Sequence, residues 1–229
     1  MRNVAAISFD VRQKHRNFQG LAKNRVFPKR PLTSNNLAMG KADDTKKRVE
    51  RAALTLFMAR GVAETTTREI AMAASVAEGT IYRYFPSKDA LALELFTRHH
   101  VALAEALIEA IRPHKKLRQK AEAIVRCYCD WADRDWTTFA YHLLTQHHFL
   151  ASLSEDLPNP VDVVRDVIAQ AISAGEIPKR DIDALTASVV GVVLQAATFK
   201  VYGRITGSLT DHAPTFVEAV WAVLNAKPG

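Results

Sequence analysis

The sequence predicts an all-α protein with a small three-helix N-terminal domain followed by a larger helical domain. Three observations support this fold class. Hydrophobic residues make up 48% of the 229 residues, which is enough for a packed core. Glycine and proline number nine each, which argues against a turn-rich β protein. Apolar residues recur at helical spacing through most of the chain after residue 40.

The first 40 residues differ from the rest of the chain. They hold eight basic side chains and one acidic side chain, so they account for the whole net charge of +7. They contain Pro28 and Pro31 and show no sustained helical period, which indicates a disordered basic tail over residues 1–40. Met39 directly precedes the first helical pattern and is a second candidate for the start of translation. Because the excess charge lies in the tail, the high pI is no sign of nucleic-acid binding by the folded part.

Capping signals define the first two helices of the small domain, which spans residues 41–90. The first helix is predicted to begin near Asp44, a good N-cap residue, and to end at Gly61. The second opens with the capping box Thr66-Thr67-Arg68-Glu69, in which Thr66 caps the helix and Glu69 reaches back to the cap.

A break at Ser75 separates the second helix from a third short helix, which ends before Pro86. Ser75 either adopts a strained positive φ or caps the third helix with Glu78 as its capping-box partner. Two short helices joined by a tight break and braced by a preceding amphipathic helix make a helix-turn-helix, whose second helix enters the DNA major groove. Ile81 and Phe85 are spaced to anchor that helix.

A family resemblance is carried by the run Gly79-Thr80-Ile81-Tyr82-Arg83-Tyr84-Phe85 and by Ser87-Lys88-Asp89-Ala90-Leu91, which follows Pro86. In residue type and spacing this stretch closely resembles the N-terminal domain of the TetR family of bacterial transcriptional regulators. The resemblance covers about residues 44–96. The remainder is similar to the family only in length and helical character.

The resemblance implies that the start of the second helix meets the phosphate backbone, where free N–H groups and the helix dipole favour anions. It also implies base-facing and phosphate-contacting positions along the third helix, with Arg83 able to reach either. Glu78 is an acid that faces a polyanion, so it either accepts a hydrogen bond from cytosine N4 or only completes a helix cap. The predicted DNA-binding residues are Lys46, Thr66, Thr67, Arg68, Glu78, Gly79, Thr80, Tyr82, Arg83, Tyr84 and Lys88.

Residues 91–229 are expected to form a helical ligand-binding and dimerisation domain, with five or six helices after the one that Ser87 caps. The segment from Leu185 to Phe199 is apolar almost all round, so it is buried either in the core of the monomer or in a dimer interface. The last helix is predicted to begin near Pro214. The resemblance implies that the last two helices pair with their copies in a homodimer.

A ligand cavity is likewise implied by the resemblance. Its effector is expected to be a small organic molecule that is more apolar than charged, because few charges lie between Cys127 and Leu150. The candidate ligand-binding residues are Tyr128, Trp131, Trp136, Phe139, His142, Leu143, His147, Gln195 and Phe199.

Several function classes find no support in the sequence. It has no phosphate loop, no G-x-S-x-G, no H-E-x-x-H and no dinucleotide fingerprint, so no enzyme and no cofactor are predicted. The adjacent pairs His99-His100 and His147-His148 cannot share a helical face, so no metal site is expected. The two cysteines are interpreted as core or half-buried thiols in the reducing cytoplasm.

The apolar, uncharged run between Asp183 and Lys200 has 16 residues and is short for a membrane span. The resemblance implies a function, which is that of a ligand-responsive repressor that binds a pseudo-palindromic operator in double-stranded DNA as a homodimer. Its predicted partners are the operator, a second copy of the chain and an unidentified small-molecule effector, with no membrane.

Overall fold

The computed structural model describes residues 35–226, and this part of the chain contains helices and no strands. The all-α prediction is confirmed. The helices are α1 (Asn35–Arg60), α2 (Thr67–Ala73), α3 (Glu78–Tyr82), α4 (Lys88–Ile111), α5 (Leu117–Arg134), α6 (Trp136–Phe149), α7 (Pro160–Ser173), α8 (Ile182–Val201) and α9 (Leu209–Asn225).

Helix α1 begins earlier than predicted. It starts at Asn35 rather than near Asp44. The residues between them include Leu37, Ala38 and Met39 and no proline, so the helix continues through a residue that would also serve as a cap. The prediction of a disordered basic tail is therefore wrong for residues 35–40. Residues 1–34 of the predicted tail lie outside the described part of the chain.

The small domain follows its predicted capping signals. The Thr66–Glu69 capping box is formed in both directions, with the Glu69 amide donating to Thr66 Oγ1 at 3.2 Å and the Thr66 amide donating to Glu69 Oε2 at 2.9 Å. Ser75 has a φ of 54°, so the strained alternative is the one that the chain adopts. Ala77 takes the N-cap position of α3 without a side-chain hydrogen bond, so Ser75 does not cap that helix.

Two hydrophobic cores are built along α4. Leu91 and Phe96 in its first half pack with α1–α3 in a small core. Leu103 and Leu107 in its second half pack with α5–α9 in a larger core. The domain boundary predicted at residue 90 lies in the first turn of this shared helix, and it remains a prediction.

Helix α6 joins the same two cores. Tyr141 is fully buried in the small core, where its hydroxyl donates to the Ala92 carbonyl of α4 at 2.8 Å and its ring stacks on Phe57 of α1 with centroids 5.9 Å apart. Asp135, the N-cap residue of α6, accepts two hydrogen bonds from Arg51 of α1 at 2.8 and 3.1 Å. The small domain is thus attached to the larger domain through both α4 and α6.

Helix α9 also begins earlier than predicted, at Leu209 rather than near Pro214, which lies inside the helix. Ser208 caps it, and Asp133 of α5 accepts hydrogen bonds from the Leu209 and Thr210 amides at 3.0 and 2.9 Å. Burial raises the pKa of Asp133, but the hydrogen bonds from Ser208, Thr210 and Leu209 outweigh burial and bring it down to about 2. A carboxylate distant in sequence therefore fixes where the last helix starts.

Helix α8 has the length and composition of a membrane span. Among the helices of residues 35–226, it is the one that is long and apolar enough to cross a membrane. Of its apolar stretch, 33% is buried inside the protein. A core helix of a water-soluble protein meets the same test.

Candidate DNA interface and ligand cavity

Helix α3 presents one face to the protein and one face to solvent. Ile81 is fully buried and Phe85 is almost so, which fixes the helix on α1 and α2. Gly79, Tyr82 and Arg83 are exposed, and Tyr82 leaves 52% of its surface accessible. The positive φ of Ser75 makes the tight turn between α2 and α3 that leaves this face of α3 uncovered. The geometry is that of a helix-turn-helix with an uncovered second helix.

A polar contact ties the start of α2 to α3. Thr67 Oγ1 donates to Glu78 Oε1 at 2.6 Å and lies 3.2 Å from the Tyr82 hydroxyl. Glu78 is therefore held by Thr67 and completes no capping box with Ser75. This contact orients Tyr82 beside the N-terminus of α2, where exposed amides favour an anion.

The two lysines predicted to contact DNA, Lys46 and Lys88, form ion pairs or hydrogen bonds with other residues of the protein. Lys46 Nζ lies 2.8 Å from Glu94 and 3.9 Å from Glu50, and it also lies 5.3 Å from the centre of the Phe85 ring. Lys88 Nζ donates to the Ala63 carbonyl at 2.9 Å. Both side chains hold the helix-turn-helix against its neighbours in the DNA-free protein.

The eleven predicted DNA-binding residues lie in this one region, with different exposure. The exposed ones are Thr66, Arg68, Glu78, Gly79, Tyr82 and Arg83. The partly buried ones are Lys46, Thr67, Thr80, Tyr84 and Lys88. Their contacts with DNA remain predictions.

A cavity of about 140 Å³ lies within the larger domain, walled by helices α4–α9. Its wall contains no Asp, Glu, Lys or Arg. The polar residues in the wall are His100, Tyr128, His142, Gln146 and Asn159. Leu150 and Val161, both at the wall, are also exposed to solvent, so the cavity reaches the surface between the end of α6 and the start of α7.

Four of the nine predicted ligand-binding residues line this cavity: Tyr128, Phe139, His142 and Leu143. The other five lie elsewhere.

Two of those five are outside the cavity wall and contact other residues of the protein. Trp131 donates from Nε1 to His99 Nε2 at 3.3 Å, and Trp136 stacks on Phe139 with Lys200 Nζ 5.1 Å from its ring centre. The remaining three, His147, Gln195 and Phe199, are exposed on the outer faces of α6 and α8. Ligand contact by any of the nine remains a prediction.

A cluster of three buried histidines adjoins the cavity, and no local pattern in the sequence predicts it. His100 Nδ1 and His142 Nε2 lie 3.0 Å apart, and the His99 and His142 ring centres are 4.9 Å apart. Phe96 of the small core stacks on both His100 and His142, with centroids 5.6 and 4.7 Å away. The cluster therefore lies where the two cores meet.

Burial keeps these imidazoles neutral. Burial lowers the pKa of His99 to about 4, although the charge of Asp135 opposes the shift. Burial lowers the pKa of His142 to about 2, with further lowering by its histidine neighbours. The pKa of His100 is also lowered by burial, against the charge of Asp162. In the described residues, no group of three or more His, Cys, Asp or Glu side chains is arranged to hold a metal ion.

Helices α2 and α3, with the turn at Ser75 between them, have the geometry of a DNA-binding helix-turn-helix. Residues 51–95 match the family model described as bacterial regulatory proteins, tetR family. The match therefore covers the helix-turn-helix together with parts of α1 and α4.

One curated relative and several solved structures are similar to this chain. The chain is 44% identical over 55 residues to the uncharacterized HTH-type transcriptional regulator YvkB of Bacillus subtilis; the match spans 24% of this chain and 29% of that relative. The fatty acid degradation regulator FadR from Bacillus halodurans has a similar structure, with a TM-score of 0.68, 18% identity and coverage of 79% of this chain and 94% of that one.

A tetR-family regulatory protein from Rhodococcus RHA1 has a TM-score of 0.67 at 21% identity and covers 80% of this chain and 98% of its own. FadR from Bacillus subtilis, solved in complex with stearoyl-CoA, has a TM-score of 0.65 at 18% identity over 80% of this chain and all of that one. At these identities the likeness shows the fold. The similar proteins named here are regulators.

The histidine cluster predicts that stability falls as the solution is acidified from pH 8 to pH 5. The unfolded chain binds protons near pH 6.5, whereas buried His99 stays neutral until about pH 4, so protons favour unfolding in that window. For His99 alone we expect a loss of about 2 kcal/mol in the free energy of unfolding. Urea unfolding at pH 8, 6 and 5 measures it.

The variant His99→Gln keeps a hydrogen-bond acceptor for Trp131 but does not titrate, so it should flatten the pH dependence by about the same amount. The control His147→Gln changes an exposed histidine and should leave the pH dependence as in the wild type. Full stability of the wild type at pH 5 would show that the cluster is hydrated or rearranged in solution.

Proposed function

We propose that this protein is a ligand-responsive repressor that binds a pseudo-palindromic operator in the cytoplasm as a homodimer. The observation that carries the proposal is the continuous attachment of an uncovered reading helix, α3, to a cavity in the larger domain through α4 and α6. Each chain offers one reading helix, so two copies are needed to read two half-sites about one helical turn apart.

An exposed stripe on α8 supports the homodimer. Ala184, Ala187, Gly191, Gln195 and Phe199 recur every three or four residues, and all are exposed or half-buried. The small side chains allow close approach of a second helix, and 41% of Phe199 is uncovered. An apolar helix that is largely unburied in the monomer is stabilised by a copy of itself. We therefore place the subunit interface on this stripe, with α9 beside it.

The cavity supports regulation by a small molecule. A regulator of similar fold has been solved in complex with stearoyl-CoA. In this chain, His100 and His142 of the cavity wall contact Phe96 of the small core. An effector that favours the DNA-incompetent arrangement of the reading heads lowers operator affinity, and a tenfold release requires a coupling of about 1.4 kcal/mol.

Substitutions on α3 should separate base reading from positioning. Tyr82→Ala should weaken binding to all DNA sequences about equally, and Lys88→Ala should in addition reduce the salt-dependence slope by about 1. Arg83→Ala and Thr80→Ala should change which sequence is preferred, with Arg83 costing about 1–3 kcal/mol on its best site. Selection of preferred sequences from a random DNA pool, followed by titrations at several salt concentrations, measures both effects.

The matched control is Arg112→Ala, which removes an exposed arginine paired with Glu109 at the far end of α4. It should leave affinity and sequence preference unchanged. If all four variants on or next to α3 lose affinity without any change in the preferred sequence, the division of roles is wrong.

The variant Gly191→Arg should convert the dimer into a folded monomer. A Cβ atom added at this position would meet nothing within 4 Å in the monomer, so the start of a side chain fits there without a clash. In a dimer the arginine would be buried without a partner, which costs several kcal/mol. We expect monomers at micromolar concentration by sedimentation, an unchanged helical circular dichroism spectrum and loss of operator binding.

The control Glu105→Arg adds an arginine on the exposed side of α4 and should stay dimeric. Dimeric Gly191→Arg would move the interface away from this stripe.

A further inference from the structure

Two polar residues of the cavity wall, His100 and Tyr128, each have a side-chain atom without a hydrogen-bond partner among the described residues. His100 is buried, and its Nε2 atom has no hydrogen-bond partner there, while its Nδ1 atom faces His142. The Tyr128 hydroxyl makes no hydrogen bond with another described residue. Tyr128 is enclosed by protein yet retains accessible surface, because it faces the cavity.

Both groups adjoin the same stretch of α6. The Tyr128 ring packs edge-on against Phe139, with centroids 5.1 Å apart, and His100 contacts His142, one helical turn farther along. Phe139 and His142 themselves line the cavity. Buried polar groups in proteins almost always have hydrogen-bond partners. A polar group in a cavity wall that lacks one is therefore expected to find its partner on a bound ligand.

The charge of the wall restricts that ligand. No charged side chain lines the cavity, and burial keeps His100 and His142 neutral. A carboxylate or an ammonium group would lose its hydration in this cavity and find no counter-charge. The segment between α6 and α7, which borders the opening, carries Glu155 and Asp156 and no basic residue, so it offers no site for an anionic headgroup either.

The volume restricts the ligand further. The cavity measures about 140 Å³. An engineered apolar protein cavity of about 150 Å³ binds benzene. The cavity therefore holds about one aromatic ring with a small substituent, and a long acyl chain would require the walls to move apart.

We propose that the effector is a neutral, single-ring compound with one hydroxyl or carbonyl group, which pairs with the Tyr128 hydroxyl and His100 Nε2 at the α6 end of the cavity. This inference rests on the proposed ligand response and names the chemistry of its ligand. The apolar ring lies among the leucine and valine side chains of the wall, and the oxygen supplies the hydrogen bonds that the two buried groups lack.

The test uses the full-length protein and four single-ring ligands of similar size: benzyl alcohol, toluene, benzoate and benzylamine. Calorimetric titration at pH 7.5 should show benzyl alcohol binding at least tenfold more tightly than benzoate or benzylamine, because only the charged ligands lose ionic hydration. Toluene should bind about fivefold more weakly than the alcohol, because it cannot make the hydrogen bond.

Two variants locate the hydrogen bond. Tyr128→Phe and His100→Asn should each reduce the preference for benzyl alcohol over toluene to about one half or less of its wild-type value, while toluene affinity stays unchanged. The control Tyr202→Phe removes the hydroxyl of an exposed tyrosine at the end of α8 and should keep the full preference. Thermal melting checks that each variant is folded. If one of the two variants fails to fold, the other still tests the hydrogen bond.

The proposal is overturned if no probe binds, if benzoate or benzylamine equals the alcohol, or if Tyr128→Phe and His100→Asn both retain the wild-type preference. Operator affinity, measured in the same solutions, tests the proposed function separately. Selective binding of the alcohol without any change in operator affinity would support the ligand class and contradict the switch. Release of the operator by a charged or long-chain compound, with no binding of the neutral probes, would contradict the ligand class and leave the switch standing.

Discussion

The membership of α4 in two hydrophobic cores is the constraint on which the rest of the structure depends. Leu91 and Phe96 are buried with the helix-turn-helix, and Leu103 and Leu107 are buried with the larger domain. A helix is stiff over this length, so a shift of its second half against α5–α9 carries the first half with it. The orientation of α3 therefore depends on packing more than one helix away.

Helix α6 makes this attachment firmer. The Tyr141 hydroxyl bonds the Ala92 carbonyl, and Asp135 pairs with Arg51 of α1. The histidine cluster lies between these contacts and the cavity, and Phe96 stacks on two of its rings. Neutral imidazoles with specific neighbours resist sliding more than an apolar layer does, because a displaced ring leaves a buried nitrogen without a partner. The cluster is thus suited to transmit a change in the cavity wall to the small core.

The sequence predicted those features that depend on neighbours in the chain. The Thr66–Glu69 capping box and the Ser87 cap of α4 are both predicted correctly, because each is a local signal. The turn at Ser75 was reduced to two alternatives, and the structure distinguishes them by its positive φ.

Features that depend on distant residues were not predictable in this way. The start of α9 is fixed by Asp133, which lies 76 residues before Leu209, so Pro214 was a misleading signal. The contact between His100 and His142 spans 42 residues and two helices. The aromatic composition of α5 and α6 indicated a binding region, but only tertiary packing decides that Tyr128 faces the cavity while Trp131 turns toward His99.

The central claim, that α4 and α6 connect the reading helix to the cavity, is tested most directly by hydrogen–deuterium exchange with and without operator DNA. No effector is needed, because coupling between two sites is reciprocal. The account predicts slower exchange on DNA binding at residues 88–111 and 136–149, together with the expected protection at residues 66–88. Protection confined to residues 66–88, with unchanged exchange around Phe96, His100 and His142, would contradict it.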